Sequence, residues 1–248
     1  MITYPELGKV GRLGNHLFQI AATMGCALDN GEEYGFPRWD YEKDFPLAGC
    51  FKDQLPDGPD YYQPRFQFDP IPYYPGLRPH GFFQSEQYFI AHESKIRQAL
   101  MPIKALSASG LVEHRNGVAS VHVRRGDYLQ LQDKHPIQGM DYYKKAMAKA
   151  RGMGAKEFLV FSDDLPWCRA QDWGASCKVI EDMGAIDQLS LTIQCEHHIL
   201  ANSSFSWWGA WLAPKPKQII IAPSNWFGAA HHSVFNTKDL FPGHWMVE

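Results

Sequence analysis

At 248 residues and 28.3 kDa the chain suits one large α/β domain or two smaller ones. Its 45% apolar and 21% charged content excludes a disordered or fibrous protein. A net charge of −3 excludes a general nucleic-acid-binding face, and the longest apolar runs, such as Ile219–Ala222, are far below the ~18–20 residues of a membrane span.

Near the start, Leu17, Ile20, Ala21, Met24 and Leu28 recur at spacings of three and four, predicting an amphipathic helix over residues 15–30 that ends at Gly31. Residues 35–84 hold nine of the seventeen prolines, so they read as loops with short strands. A second helix is expected over about 86–101, stopped by Pro102. From residue 117 the texture changes. The short β-branched or apolar runs GVASVHV, EFLVFS, CKVIE, HHILA and QIIIA alternate with helical stretches near 141–151, 165–172, 186–195 and 205–213. Buried strands alternating with helices predict a parallel sheet covered on both faces. The change in texture sets a domain boundary near residue 115, giving domains 1–115 and 116–248.

Five cysteines without a CxxC pair argue against a disulfide framework or zinc cluster and for a reducing compartment. No basic-then-apolar leader opens the chain, which points to a cytoplasmic protein. Aromatic residues reach 14%, with eight tryptophans. Sugar binding would explain that excess, and so would a tryptophan-rich core.

In a parallel α/β sheet the functional groups lie just past the carboxyl ends of the strands. Three segments fall there. His122-Val123-Arg124-Arg125-Gly126-Asp127-Tyr128 leaves the strand GVASVHV, and its two guanidiniums can fork onto a diphosphate. The plainer alternative is a solvated arginine pair bridged to Asp127. Ser162-Asp163-Asp164 ends EFLVFS. Its carboxylates can accept hydrogen bonds from a ribose or a guanine edge, or one of them can cap the next helix. Asn202-Ser203-Ser204-Phe205-Ser206-Trp207-Trp208 follows HHILA and offers hydroxyls and backbone N–H groups where a helix begins. Its alternative is again a cap, with the tryptophans as core. Asn202-Ser203-Ser204 also spells a glycosylation sequon, which a reducing compartment makes irrelevant. A fourth feature, Gly11-Arg12-Leu13-Gly14-Asn15-His16, is a glycine turn opening the first helix. No Asp-x-Asp, HExxH, Walker loop or GxSxG elbow occurs, so neither a metal-bridged site nor those hydrolase and NTPase chemistries are indicated.

Taken in order, GRLGNHLFQ (11–19), HVRRGDY (122–128), FSDDLPWC (161–168) and CEHHILANSSFSWWGAWL (195–212) resemble the bacterial α-1,2-fucosyltransferase family, glycosyltransferase family 11. The family pattern has glycine and glutamine where this chain has Arg12 and His16. The resemblance implies a GT-B-like fold, two Rossmann-like halves facing across a cleft, with the acceptor side in 1–115 and the GDP-fucose side in 116–248. It implies metal-independent, inverting transfer of fucose from GDP-fucose to the 2-hydroxyl of a galactose-terminated glycan, with no cofactor, and with peripheral membrane association compatible. Arg124 and Arg125, backed by Ser203, Ser204 and Ser206, would neutralise the leaving diphosphate. His122 and Asp163 would hold the guanine, and Asn15 with its glycine turn would face the fucose and diphosphate from the other domain. Asp127 is the nearest carboxylate for a catalytic base, unless a salt bridge to an arginine makes it structural; His135 lies in a nearby loop. A transferase with another nucleotide-sugar donor, or a non-catalytic carbohydrate-binding protein, are the competing readings.

Overall fold

The computed structural model describes residues 1–106, 114–232 and 234–248. The chain forms two compact units. The first comprises Met1–Ile103 and Phe235–Pro242, the second Lys104–Val234 and Gly243–Glu248. The division therefore falls at 103/104 rather than near 115. The late return to the first unit is anchored by Asp239, which accepts from Phe68 N and Gln87 Nε2, both at 3.1 Å, and by Phe235 beside Phe66. No change of composition announces that return.

In the second unit six strands form one fully parallel sheet: β6 (Arg115–Val123), β7 (Glu157–Ser162), β8 (Cys177–Val179), β9 (Cys195–Ile199), β10 (Ile220–Ala222) and β11 (Met246–Val247). The spatial order is β11-β10-β9-β6-β7-β8. Counted from β6 as the first strand, this is the doubly wound order 3-2-1-4-5-6 of dinucleotide-binding sheets. Central β6 is buried without interruption from Ala119 to Val123, because neighbours flank it on both sides and helices cover the sheet. Its core includes Val121, Val123, Phe158, Val160, Ile199 and Ile221, with Tyr143 and Met147 packing from α3 (Met140–Gly152).

Helices α4 (Leu165–Arg169), α5 (Ala185–Gln194), α6 (Ser204–Trp211) and α7 (Ala229–His232) complete this unit. Seven of the eight tryptophans are buried, and Trp207 stacks on Trp211 at 5.8 Å and lies against Trp245 at 5.4 Å. The tryptophan excess is therefore mostly core. All five cysteines are free thiols.

The first unit is built differently. β1 (Ile2–Thr3), α1 (Leu13–Asp29) and β2 (Tyr34–Pro37) form a parallel βαβ unit, and β3 (Phe51–Lys52) extends the sheet. A separate parallel pair, β4 (Asp60–Tyr62) and β5 (Arg78–His80), is tied to β1 by Thr3 N donating to Leu77 O. The helix expected over 86–101 is two 3₁₀ turns followed by α2 (Glu93–Leu100). Phe89 interrupts it with a non-helical backbone, φ −149° and ψ 0°. Among the described residues no helix is long and apolar enough to cross a membrane.

Candidate functional site

The strand order reverses direction between β6 and β9, and that switch point is where a doubly wound sheet binds ligands. The register pairs Val121 with Ile199, so the chain leaving β6 at Arg124 and the chain leaving β9 at Asn202 are at matching height. Tyr128 ties them together, its hydroxyl donating to Asn202 O at 3.1 Å. The arginine, aspartate and serine segments thus meet at one edge of one sheet.

Asp163 organises the loop after β6. One carboxylate oxygen accepts from the backbone N–H groups of Arg125 (2.9 Å) and Gly126 (3.2 Å); the other accepts from Arg124 NH1. A Cβ at Gly126 would lie 2.5 Å from Asp163 Oδ2, so any larger residue has to push that carboxylate aside. Asp164 is the helix cap. Its Oδ1 accepts from Trp167 N at 3.1 Å, while Oδ2 holds Arg125 Nε at 3.0 Å. The adjacent acids therefore divide the two roles that the sequence left open between them.

The arginines differ. Arg124 pairs with both Asp163 and Asp127 and lies over the Tyr128 ring, 4.9 Å from its centroid. Arg125 lies over Trp167 at 4.3 Å and is held through Nε, so its terminal nitrogens remain for an anion. The salt bridge from Asp127 to Arg124 meets the condition under which Asp127 is structural. It holds the guanidinium in place.

His122, next to last in β6, is buried, and its Nδ1 has no partner. Burial, reinforced by the nearby Arg124 charge, lowers its pKa to about 4, so the ring is neutral near pH 7. Phe205 covers it at 5.4 Å. His135 stacks on Tyr128 at 4.7 Å, and burial lowers its pKa as well.

The serines also separate. Ser203 occupies the N-cap position of α6, yet its side chain makes no cap hydrogen bond. Ser206 turns its hydroxyl back to Ala201 O (3.2 Å) and Ser203 O (2.9 Å). That single proton is committed to the backbone, which removes Ser206 from the diphosphate donors. Asn202 is buried, with Nδ2 donating to Pro136 O (2.9 Å) and Trp226 O (3.1 Å), so the sequon is internal scaffolding.

Asn15 belongs to the first unit, apart from the other eight candidate residues. Its Oδ1 accepts from Gln84 Nε2 at 2.8 Å. Gly11, at φ +87°, passes so close that a Cβ would sit 2.6 Å from the Asn15 side chain. His16, which replaces the family glutamine, accepts from Trp39 Nε1 at 3.1 Å and is buried. Sequence reasoning left Tyr128, Trp167, Asn202 and Gln84 without roles. The first three stand inside the quoted motifs; Gln84 carries no sequence signal.

The profile of the family described as Glycosyl transferase family 11 matches residues 59–248. The chain is similar to an alpha-1,2-colitosyltransferase of Escherichia coli, 35% identical over 179 residues, covering 67% of this chain and 60% of that protein. It is also similar to galactoside alpha-(1,2)-fucosyltransferase 2 of Oryctolagus cuniculus, 23% identical over 275 residues, covering 97% of this chain and 75% of that one. Among solved structures it is similar to the fucosyltransferase NodZ from Bradyrhizobium. That match has a TM-score of 0.49 and 14% identity, covering 84% of this chain and 91% of the other. The chain thus spans about three fifths of the length of the colitosyltransferase it matches. With the family profile extending over most of its residues, the protein belongs to glycosyl transferase family 11.

Proposed function

We propose that the protein transfers fucose from GDP-fucose to the 2-hydroxyl of a galactose-terminated glycan, with inversion and without a metal ion. The observation that carries this reading is the arginine pair at the switch point of a dinucleotide-type sheet, held by carboxylates in two distinct orientations. The acceptor hydroxyl oxygen attacks the anomeric carbon and its proton passes to solvent or to the departing diphosphate, while the bond from that carbon to the diphosphate oxygen breaks and negative charge grows on GDP. Arg125, with its terminal nitrogens available, and Arg124, braced by Asp127 and Asp163, supply fixed positive charge against it. One preorganised donor of this kind is worth ~3–4 kcal/mol in oxyanion sites. Ser203 and Ser204 add donors at the start of α6.

His122, neutral and with an unfilled buried Nδ1, is suited to a base edge. Asp163 has less to offer a guanine than the sequence suggested, because three protein donors already use it. Asn15 contributes on the sugar side. Metal independence is part of the proposal, because the cationic pair supplies the positive charge that a divalent ion would otherwise bring to the diphosphate. Free cysteines support a reducing compartment such as the cytoplasm. The domain roles follow, with donor binding in the second unit and acceptor binding in the first.

A second reading keeps the reaction and changes the sugar. It is favoured by the E. coli relative, whose name specifies colitosyl transfer. Calorimetric titration with GDP, GDP-fucose and UDP, beside transfer assays with GDP-fucose and GDP-colitose in excess EDTA, tests both. GDP binding with fucosyl transfer in EDTA is the expected result. Preference for GDP-colitose would select the second reading. Absence of GDP binding would refute both, and dependence on manganese would refute the metal-free step.

A further inference from the structure

Arg124 is held by more than its two carboxylates. Its guanidinium lies over the Tyr128 ring, and that ring is itself fixed from outside its own turn, Gly126–Gln130. The Tyr128 hydroxyl reaches Asn202 O, past the end of β9, at 3.1 Å. Its ring stacks on His135, with centroids 4.7 Å apart and planes 16° apart.

His135 is fixed in turn. Its backbone N–H donates to Leu131 O at 2.7 Å, and its imidazole is flanked by Phe227 and His231, with centroids 6.0 and 6.1 Å away. Both flanking residues belong to the segment after β10. Two backbone bonds lace that segment to the His135 loop, Gly228 N to Lys134 O at 2.8 Å and Ala230 N to Asp133 O at 2.9 Å. A Cβ at Gly228 would lie 2.4 Å from Asp133 O, so a larger residue would force the two loops apart. Asn202 joins the same loops from the end of β9, its Nδ2 donating to Pro136 O and Trp226 O. The chain leaving β6, β9 and β10 thus converges on the ring that Arg124 lies over.

We infer that Tyr128 and His135 are positioning residues for the diphosphate, acting on the nucleotide through Arg124 and not by contact with it. The inference rests on the donor-binding reading and adds two residues to its clamp. Asp127 and Asp163 hold the guanidinium by bonds that run along its N–H directions, within its own plane. Rotation about the line between them remains free, and an aromatic ring beside the cation removes that freedom. Tyr128 does this only because its own ring cannot turn: the bond to Asn202 O anchors the hydroxyl end, and the His135 stack sets the plane. Burial lowers the His135 pKa, so the stacked imidazole puts no second positive charge beside Arg124 near pH 7.

A double-mutant cycle on GDP affinity tests the inference, read by calorimetry with a melting curve for every protein. Tyr128→Leu removes the ring and Tyr128→Phe only the hydroxyl. Each is made alone and together with Arg124→Lys, where Arg125 is still present to bind GDP. Alone, Tyr128→Leu should weaken GDP at least about tenfold and Tyr128→Phe about threefold. In the Arg124→Lys background neither should weaken GDP further, because lysine has no planar fork to orient. His135→Ala should cost about threefold in GDP affinity, and His135→Phe, which restores a flat stacking partner, should recover it. Should Tyr128→Leu fail to fold, Tyr128→Phe carries the cycle. Losses that add in full to that of Arg124→Lys, or unchanged GDP affinity in both Tyr128 variants, overturn the inference and leave the donor reading standing. A loss in His135→Ala that His135→Phe does not recover overturns the part assigned to His135. No GDP binding by the parent protein refutes the donor reading and this inference with it.

Discussion

The two units place their polar side chains by different means. In the second unit a six-stranded parallel sheet does the positioning, and its strand ends carry His122, Arg124, Asp163 and Asn202 to one edge. In the first unit the strands are only two to four residues long, and side-chain-to-backbone hydrogen bonds take over. Gln63 receives two backbone amides, Gln84 holds Asn15, and Tyr4 pins Gly81. A long sheet tolerates variation in any one hydrogen bond because the ladder fixes the backbone. A unit assembled from individual polar contacts depends on each of them.

The largest effect should come from the sheet-borne site. Arg124→Lys keeps the charge and loses the fork that reaches Asp127 and Asp163 together. Transfer activity should fall by at least about a hundredfold in kcat/KM, a loss of ~2.7 kcal/mol. Steady-state kinetics with GDP-fucose provides the measurement, and near-parental turnover would remove Arg124 from the phosphate clamp.

Acid should expose the same edge. His122 has a folded pKa of about 4 against an ordinary value of 6.5, because it is buried beside Arg124. Between those values the unfolded chain binds the extra proton, so stability rises with pH from about 4 to 6.5 and is lost as pH falls through that window. One such group contributes up to about 3 kcal/mol. His16, His135, His197 and His198 are lowered too, chiefly by burial, and act with the same sign. Melting temperature followed from pH 7 to 4.5 should drop steeply, and His122→Gln should flatten part of the slope. An unchanged slope in that variant would contradict the neutral, buried state of His122.

Asp163→Asn comes next. Asn cannot reproduce a charged acceptor for Arg124 and two amides, so the protein should lose ~1.5–3 kcal/mol of stability and GDP affinity should fall about tenfold. Asp164→Asn keeps the cap to Trp167 and should change stability by less than half as much. Melting curves and GDP titrations of the pair decide which acid braces the loop. Equal effects would mean that the two carboxylates do not divide their roles.

How much of this the sequence revealed follows the same division. EFLVFS is β7 residue for residue, and the Arg-Arg pair lies where a strand-end argument puts it. Hydrophobic runs long enough to span a sheet report themselves. Which of Asp163 and Asp164 caps α4 was not legible, because Asp serves either role and only the turn of the chain after Ser162 decides. Ser206 was misread for a similar reason: a hydroxyl at a helix start can face out or bond back, and sequence does not say which. In the first unit the short strands, the break at Phe89 and the return of residues 235–242 depend on contacts between distant residues. Gly11-Arg12-Leu13-Gly14-Asn15 was visible, but its partner Gln84 was not.

The smallest effects compare the two units directly, through one glycine in each. Gly11→Ala puts a Cβ at φ +87° and 2.6 Å from the Asn15 side chain. Gly126→Ala puts one 2.5 Å from Asp163 Oδ2. Each should cost about 1–2 kcal/mol, the first chiefly from backbone strain and the second from crowding, and lower the melting temperature by a few degrees. Their consequences for ligands should differ. Gly126→Ala displaces the carboxylate that accepts from the Arg125 and Gly126 amides and from Arg124 NH1, so it should weaken GDP itself. Gly11→Ala disturbs Asn15, assigned to the sugar side, so it should raise the KM for GDP-fucose while leaving GDP affinity unchanged. Calorimetry with GDP and kinetics with GDP-fucose on both variants read the contrast. If Gly11→Ala weakens GDP as much as Gly126→Ala does, the nucleotide is gripped by the first unit as well, and the division of donor and acceptor roles between the units fails.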